Sequence, residues 1–345
     1  MAQIGKILMV GSDQTWSIER IYIKYLKQLG ITTELFAAQN LFYNSYYRHG
    51  IISKLLYKAG FSNIHKKINA AFLSIARTFK PQVIWIFKGM EIYPQTLEIL
   101  RKEGFLLVNY NPDNPFYFSG YGSGNKNITD SIGCYDLHLT YDRGIKEKII
   151  SEYKVPCKIL PFGFELSDSL YNDISSQEEI LKLCFIGNPD KERVEFINQL
   201  ASTVKIDVYG HGWDKAVSHP NIHTHDAVYS DDFWKTLRRY RLQLNLMRPH
   251  NPASHNMRSF EIPGAGGIGL YPDTIDHREY WSEDSGVFLY RNVEECKDSA
   301  KAILALPKEN INRLRENARS HSIKSGYAYS SRTDQALRYF NELLN

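Results

Sequence analysis

The sequence predicts two doubly wound α/β domains, one following the other along the chain. Three observations carry this expectation. A short apolar run that ends in glycine and leads into an amphipathic helix occurs twice, first at Lys6 and again at Leu181. Further short apolar runs alternate with helical patterns through both halves, the rhythm of parallel sheets covered by helices on both faces. The length of 345 residues suits two domains of the usual ~100–200 residues each.

The first opening is Lys6–Val10 (KILMV), a continuous apolar run that reads as a strand buried on both faces. It ends at Gly11-Ser12-Asp13, and the helix after it sets Ile18, Ile21, Tyr22, Tyr25 and Leu29 at helical spacing before Gly30 stops it. Residues 32–37 form the second strand, and residues 82–87, 106–110, 137–141 and 158–160 extend the same sheet. The second opening is a strand over 181–186 (LKLCFI), the turn Gly187-Asn188-Pro189-Asp190, and a helix bearing Val194, Ile197 and Leu200. A strand over 206–209 closes at Gly210-His211-Gly212, and residues 242–246, 268–271 and 287–290 add strands. The polar stretch 165–179 reads as a linker, which divides an N-terminal domain over 1–165 from a C-terminal domain over 166–330. Residues 331–345 carry Ala336, Leu337, Phe340 and Leu344 at helical spacing as a final helix. Residues 116–127, rich in Gly, Ser, Asn and Tyr, read as a loop at the carboxyl end of a strand, where α/β proteins bind ligands.

The bulk properties narrow the function. A formal net charge of +4 tolerates a phosphate-bearing ligand but lacks the strongly basic face of a nucleic-acid binder. No apolar run approaches the ~18 residues needed to cross a bilayer, and the first residues lack a signal-peptide pattern, so the expected location is cytoplasmic. The cysteines Cys134, Cys157, Cys184 and Cys296 have no metal or redox spacing and read as reduced core thiols. His219, His223, His225 and Asp226 lie close together, with His223 and His225 on one face of a strand, yet no second cluster accompanies them and a zinc site is not expected. Residues 48–67 carry Arg48, Lys54, Lys58, Lys66 and Lys67 among apolar residues. Such a stretch can dock at an anionic membrane surface, and it can equally be a solvated helix over the sheet.

Neither glycine loop is GxGxxG, which argues against a nicotinamide or flavin cofactor. Gly11 and Gly187 each follow a strand directly, where a missing Cβ admits a ligand to the backbone and the next helix start favours anions. Residues 245–270 (NLMRPHNPASHNMRSFEIPGAGGIGL) are the richest segment. They offer Arg248 and Arg258 for a diphosphate, Glu261 for ribose hydroxyls, and a glycine group at 264, 266, 267 and 269 for backbone amides near a helix start. Pro263 sits where a first helical turn would tolerate it. Surface ion pairs and plain turns would give the same residues.

At this block the sequence resembles the spore-maturation CgeB-like glycosyltransferases, whose donor signature runs Asn-x-Arg-Thr-Phe-Glu-Ile-Pro-Ala-Cys-Gly-Gly. The likeness continues through CYDLHLTYDRG (134–144), LPFGFE (160–165), FIGN (185–188), VYGHGW (208–213) and NYNPDNPF (109–116). It implies a GT-B fold, two Rossmann-like domains facing a central cleft, with a nucleotide-sugar donor on the C-terminal side and the acceptor on the N-terminal side. Glu261, five residues before Gly266, then binds the donor ribose. Arg258 and Asn256 face the diphosphate with backbone at Gly187, Asn188, Gly210 and Gly212, and Lys191, Arg193 and Arg248 are further cations. Ser254 stands where many retaining relatives carry a second glutamate, so stereochemistry does not carry over.

No Asp-x-Asp pair occurs in the sequence, so the expected mechanism needs no metal: cations and helix starts stabilise the departing nucleotide diphosphate. An inverting reaction needs a general base, and Asp13, Asp113 and His255 are the candidates, with His211 beside them. An aspartate in such a place also serves as an Asx turn or helix cap. The expected acceptor is a glycan, a lipid-linked sugar or a protein group. Two alternatives remain at this stage: a sugar-nucleotide epimerase of the same fold, and a non-catalytic nucleotide- or glycan-binding protein.

Overall fold

The computed structural model describes residues 4–48, 50–51, 54–55, 62–118, 123–248 and 253–344. The chain divides into two compact units, Met1–Pro161 with Arg332–Asn345, and Phe162–Ser331.

The first unit is built on a six-stranded parallel sheet in the order β2-β1-β3-β4-β5-β6. Its strands are β1 (Lys6–Val10), β2 (Thr32–Phe36), β3 (Val83–Phe87), β4 (Leu106–Asn111), β5 (Leu137–Thr140) and β6 (Cys157–Ile159). β3 (VIWIF) is buried at every position, as expected of a central strand with helices on both faces. Leu8, Val10, Ile84, Ile86 and Leu107 pack with Phe72 and Ala76 from the helix Ile64–Phe79 and with Leu97 and Leu100 from the helix Pro94–Lys102. Residues from Arg332 onward in the helix Tyr329–Leu344 belong to this unit too. Phe340, fully buried, meets Trp85 edge-on at 4.9 Å, and Gln335 and Tyr339 both donate to the Ile159 carbonyl.

The second unit has a six-stranded parallel sheet in the order β12-β11-β10-β7-β8-β9. Its strands are β7 (Ile180–Ile186), β8 (Ile206–Tyr209), β9 (Ile222–His225), β10 (Tyr240–Leu244), β11 (Gly269–Pro272) and β12 (Val287–Tyr290). Leu183, Phe185, Val208, Leu242, Leu244 and Leu270 form its core with Ile197, Leu200, Cys296 and Ile303 from covering helices.

Two expectations are corrected here. Residues 165–179 are not a bare linker: Ser167 caps a helix over Asp168–Ser175. The segment is held down by ion pairs to distant arginines, Arg319 with Asp168 at 2.9 Å and both Arg241 and Arg315 with Glu179 at 2.5 and 3.0 Å. Pro263 is not in a first helical turn either. It lies near the end of the helix Arg258–Gly264, where its missing N–H leaves the Ser259 carbonyl without the usual partner. The Tyr271 hydroxyl donates to that carbonyl at 3.3 Å and to the Arg258 carbonyl at 3.1 Å.

The four cysteines are buried and free, as the sequence suggests. No described helix is long and apolar enough to cross a membrane. Within 48–67, residues 49, 52–53 and 56–61 lie outside the described residues, and so do 119–122 of the 116–127 loop.

Candidate functional site

In the second unit, the carboxyl ends of β7, β8 and β10 bring the expected glycine loops and arginines together. The Gly187 N–H donates to the Tyr209 carbonyl at 2.9 Å, and the Gly187 carbonyl accepts from the Trp213 indole at 2.7 Å. The Asn188 side-chain oxygen accepts from the His211 amide at 3.0 Å, which ties the loop after β7 to Gly210-His211-Gly212. Gly210 is required there: a Cβ would stand 2.5 Å from the Gly187 carbonyl oxygen, and its φ is +154°. His211 turns its ring to the Tyr229 hydroxyl at 3.1 Å.

Asp190 caps the helix Lys191–Ala201, accepting from the Arg193 amide. The Arg193 side chain is itself buried. It donates to the Asn188 carbonyl at 3.1 Å and to the Leu246 carbonyl at 2.9 Å, so it fastens the β7 loop to the end of β10. Burial pushes its pKa down to about 10, and the nearby Arg248 and Arg258 cations push the same way. Three arginines therefore crowd one loop. Arg248 is the most exposed of them and stands 3.6 Å from Asp190.

Arg258 begins its own short helix and lies over the Phe233 ring at 4.3 Å. It donates to the Ile186 carbonyl at 3.4 Å and forms an ion pair with the buried Glu261 carboxylate. The start of this helix is fixed by a chain of polar contacts. Asn256 accepts from the Ser259 amide at 3.1 Å and donates to Asn245 at 2.8 Å. The Ser259 hydroxyl accepts from the Asn245 amide and meets His277 Nε2 at 2.8 Å. His277 Nδ1 faces the Pro272 carbonyl at 2.7 Å, which makes Nδ1 the protonated nitrogen. Burial holds this histidine neutral, with a pKa near 4. Asn256 thus serves the helix start.

Two expected contributions are placed differently. The glycine group at 264–269 ends the helix rather than starting one. The amide of Gly266 donates to the Pro263 carbonyl and that of Gly267 to Ile262, so these N–H groups are used within the turn. His255, expected as a base, is fully buried among Phe162, Phe260 and Tyr280, with Nδ1 2.7 Å from Asp276. It pins the loop that carries Asn256.

Of the clustered histidines, His225 lies on the Tyr209 ring at 4.4 Å and 3.3 Å from Asp207. Among the described residues no group of three or more His, Cys, Asp or Glu is placed to hold a metal ion.

The first unit holds a cavity of about 300 Å³ at the carboxyl ends of β1 and β3. Gly11, Ser12, Gln14, Trp16, Glu19 and Gln39 line one part of it, and Lys88, Met90, Glu91 and Pro112 another. Asp13 is not in its wall; its carboxylate pairs with Arg20 at 2.6 Å at the surface. Asp113 pairs with Lys88 at 2.6 Å. Glu19 and Glu91 are the groups that sequence reading missed. Glu19 folds back onto the glycine loop and accepts from the Ser12 amide at 2.7 Å. Glu91 follows the turn at Lys88 and Gly89, both at positive φ (58° and 92°), and Asn69 secures the turn by donating to the Glu91 carbonyl at 2.9 Å. Burial raises the pKa of Glu91 to about 7, opposed by Lys88 and aided by Glu19. The sequence signal was a Lys-Gly pair directly after an apolar strand, with a glutamate two residues on.

Comparison with known proteins places these units in a known architecture. The chain is similar to HepE from Anabaena in complex with UDP, with 12% identity over 98% of this chain and 100% of that one, at a TM-score of 0.62. It is similar to sucrose-phosphate synthase from Thermosynechococcus elongatus, with 9% identity, 99% of each chain covered and a TM-score of 0.67. It is also similar to a glycosyltransferase from Rickettsia africae, with 14% identity over the whole of both chains and a TM-score of 0.65. At these identities the likeness establishes the fold, which is the two-domain, Rossmann-like GT-B fold. A family model described as glycosyl transferase-like matches residues 192–338, less than half of the chain. No curated protein matches. The family match and the fold together support glycosyl transfer.

Proposed function

We propose that the chain is a glycosyltransferase of the CgeB-like kind, moving a hexose-like sugar from a nucleotide diphosphate to a glycan, lipid-linked or protein acceptor without a catalytic metal. The observation that carries the reading is the crowding of Arg193, Arg248 and Arg258 around the loop after β7, with the buried Glu261 carboxylate beside them. Breaking the anomeric bond leaves a diphosphate with added negative charge, and preorganised cations lower the cost of that charge where water is excluded. In this reading Arg248 and Arg258 face the diphosphate, while Arg193 holds the loop rigid. Glu261 accepts from the ribose hydroxyls, oriented by its pairing with Arg258. The UDP present in the HepE complex supports a nucleotide ligand. Transfer is placed in the cytoplasm or at the inner membrane face, the latter through residues 48–67.

The test is thermal unfolding with UDP, GDP, TDP, CDP and ADP, each with EDTA and with magnesium, on wild type, Glu261→Gln and Arg258→Met. A ligand at a hundred times its dissociation constant adds about 2.7 kcal/mol, enough for a midpoint rise of several degrees. The expected result is one nucleotide that stabilises wild type equally with EDTA, with the shift abolished in both variants. A shift that needs magnesium removes the metal-free mechanism. No shift from any nucleotide favours a protein that has lost donor binding.

A further inference from the structure

We infer that the cavity of the Met1–Pro161 unit binds an uncharged saccharide, with the Trp16 indole against the sugar ring and the Glu91 carboxyl group hydrogen-bonded to its hydroxyls. This rests on the reading above, in which this unit receives the acceptor, and it names the acceptor's chemical class.

The argument starts from size and lining. A volume of about 300 Å³ lies at the small end of ligand pockets, which suits a compact ligand. Ser12, Gln14, Gln39, Lys88, Glu19 and Glu91 supply donors and acceptors along the wall. Trp16, also in the wall, is 62% exposed, a large apolar surface kept out of the core at the edge of a polar cavity. An indole face beside several hydrogen-bonding groups matches a sugar, which has an apolar C–H face and a rim of hydroxyls. Glu91 is only 7% exposed, yet among the described residues no side chain hydrogen-bonds or ion-pairs with its carboxylate. Its own backbone N–H bonds to it, and the remaining carboxylate lone pairs leave room for a ligand hydroxyl.

Charge then selects against phosphorylated sugars. The Ser12 amide in the loop after β1 is already taken, because it donates to the Glu19 carboxyl group. A Cβ on Gly11 would run into that same carboxylate, so no room remains above the loop for a phosphate. Among the described residues of the wall the one cation is Lys88, which is paired with Asp113. A phosphate here would face two buried carboxyl groups. A neutral hydroxyl meets no such penalty, and with its pKa raised by burial Glu91 can accept from it or donate to it near neutrality.

The experiment is saturation-transfer NMR on the full chain with the methyl glycosides of glucose, galactose, mannose and N-acetylglucosamine at millimolar concentration, beside glucose 6-phosphate and mannose 6-phosphate. It is run on wild type, Trp16→Ala and Glu91→Gln, with UDP-induced melting shifts measured on the same samples. The expected result is transfer to at least one neutral glycoside and none to the phosphates. The signal falls about tenfold in Trp16→Ala, the effect of losing one aromatic contact, and by at least about tenfold in Glu91→Gln. Trp16→Ala alters an exposed side chain, so it decides the matter even if Glu91→Gln fails to fold. Absence of transfer from every neutral glycoside, stronger transfer to a phosphate, or signals unchanged in the variants overturns the inference. A UDP shift that persists while saccharide signals are absent overturns this inference alone. Saccharide signals without any nucleotide shift overturn the donor assignment alone.

Discussion

Gly11-Ser12-Asp13 and Gly187-Asn188-Pro189-Asp190 both leave a buried parallel strand ahead of a helix, and each helix start is capped from within, by the Ser17 hydroxyl in the first and the Asp190 carboxylate in the second. Around the first loop Glu19 reaches back to the Ser12 amide, and Glu91 stands in the same cavity. Around the second loop the neighbours are cations, with Arg193 bonded to the Asn188 carbonyl and Arg248 and Arg258 close by. The backbone plan is one that binds phosphate in many α/β proteins. Here the first loop carries the Glu19 carboxyl group on its Ser12 amide, while the second, whose helix is capped by Asp190, is surrounded by guanidinium groups. The ligand class is therefore set by which side chains the tertiary fold delivers to the loop, and the strand–glycine–helix motif only provides the place.

The largest effect expected from testing this contrast is at Gly210. Its Cβ would meet a backbone carbonyl that cannot move aside, so Gly210→Ala should lower stability by about 3 kcal/mol or more and remove the UDP shift with it. Thermal melting with and without nucleotide reads both.

Titration should then distinguish Glu91 from the buried histidines by sign. Glu91 goes from its ordinary 4.5 to about 7 when buried. The folded state therefore holds a proton that the unfolded chain gives up, and stability falls as pH rises from about 4.5 to 7. Glu91→Gln should match wild type near pH 4.5 and exceed it above pH 7, by up to about 3 kcal/mol. His277 in the other unit goes from 6.5 down to about 4, so its contribution is lost as pH falls from about 6.5 to 4. His138, also held near 4 by burial, adds to the acid-side loss from the first unit. Denaturant melts at several pH values on wild type and Glu91→Gln check this; a difference independent of pH would mean that Glu91 is not desolvated.

Arg193→Met should cost about 2 kcal/mol, because two buried carbonyls lose charged donors. It should weaken nucleotide binding although the side chain is too buried to be an open ligand cation. If stability drops while the UDP shift is intact, loop rigidity matters less than the half-buried Arg248 and Arg258. The smallest effect is expected for Gly11→Ala. There the obstacle is the end of a side chain, Glu19, which can shift at a cost of about 1 kcal/mol. A loss larger than that of Gly210→Ala would reverse the comparison and make the first loop the more constrained of the two.

Much of the fold is legible in the sequence because buried parallel strands are short apolar runs. β1, β8 and β12 begin and end at the residues the apolar pattern marks. β9 (IHTH) is a weaker signal, since it is an edge strand with three exposed residues and lacks a continuous apolar run. The helix Asp168–Ser175 was hidden for another reason: its polar residues look like a linker until Arg241, Arg315 and Arg319 arrive from far along the chain. In the candidate donor site, Arg258 and Glu261 could be named because they stand together in one charged, glycine-rich block, residues 245–270. What could not be read was the engagement of their neighbours, Asn256 at the helix start, Gly266 in a closing turn and His255 in the core.

By itself, then, the sequence determined what depends on neighbours along the chain: the strand and helix order, the two glycine loops, and the arginine–glutamate block of the second unit. Periodicity and local spacing carry that information, since the apolar pattern of a strand or helix is written in consecutive residues. The tertiary structure decided the charge at each loop. β1 pairs with β3, setting Val10 against Ile86, and this pairing alone brings Gly11 and Glu19 into one cavity with Lys88 and Glu91 from more than sixty residues away. Burial and the field of neighbouring charges are sums over everything nearby in space, and sequence order does not contain that sum.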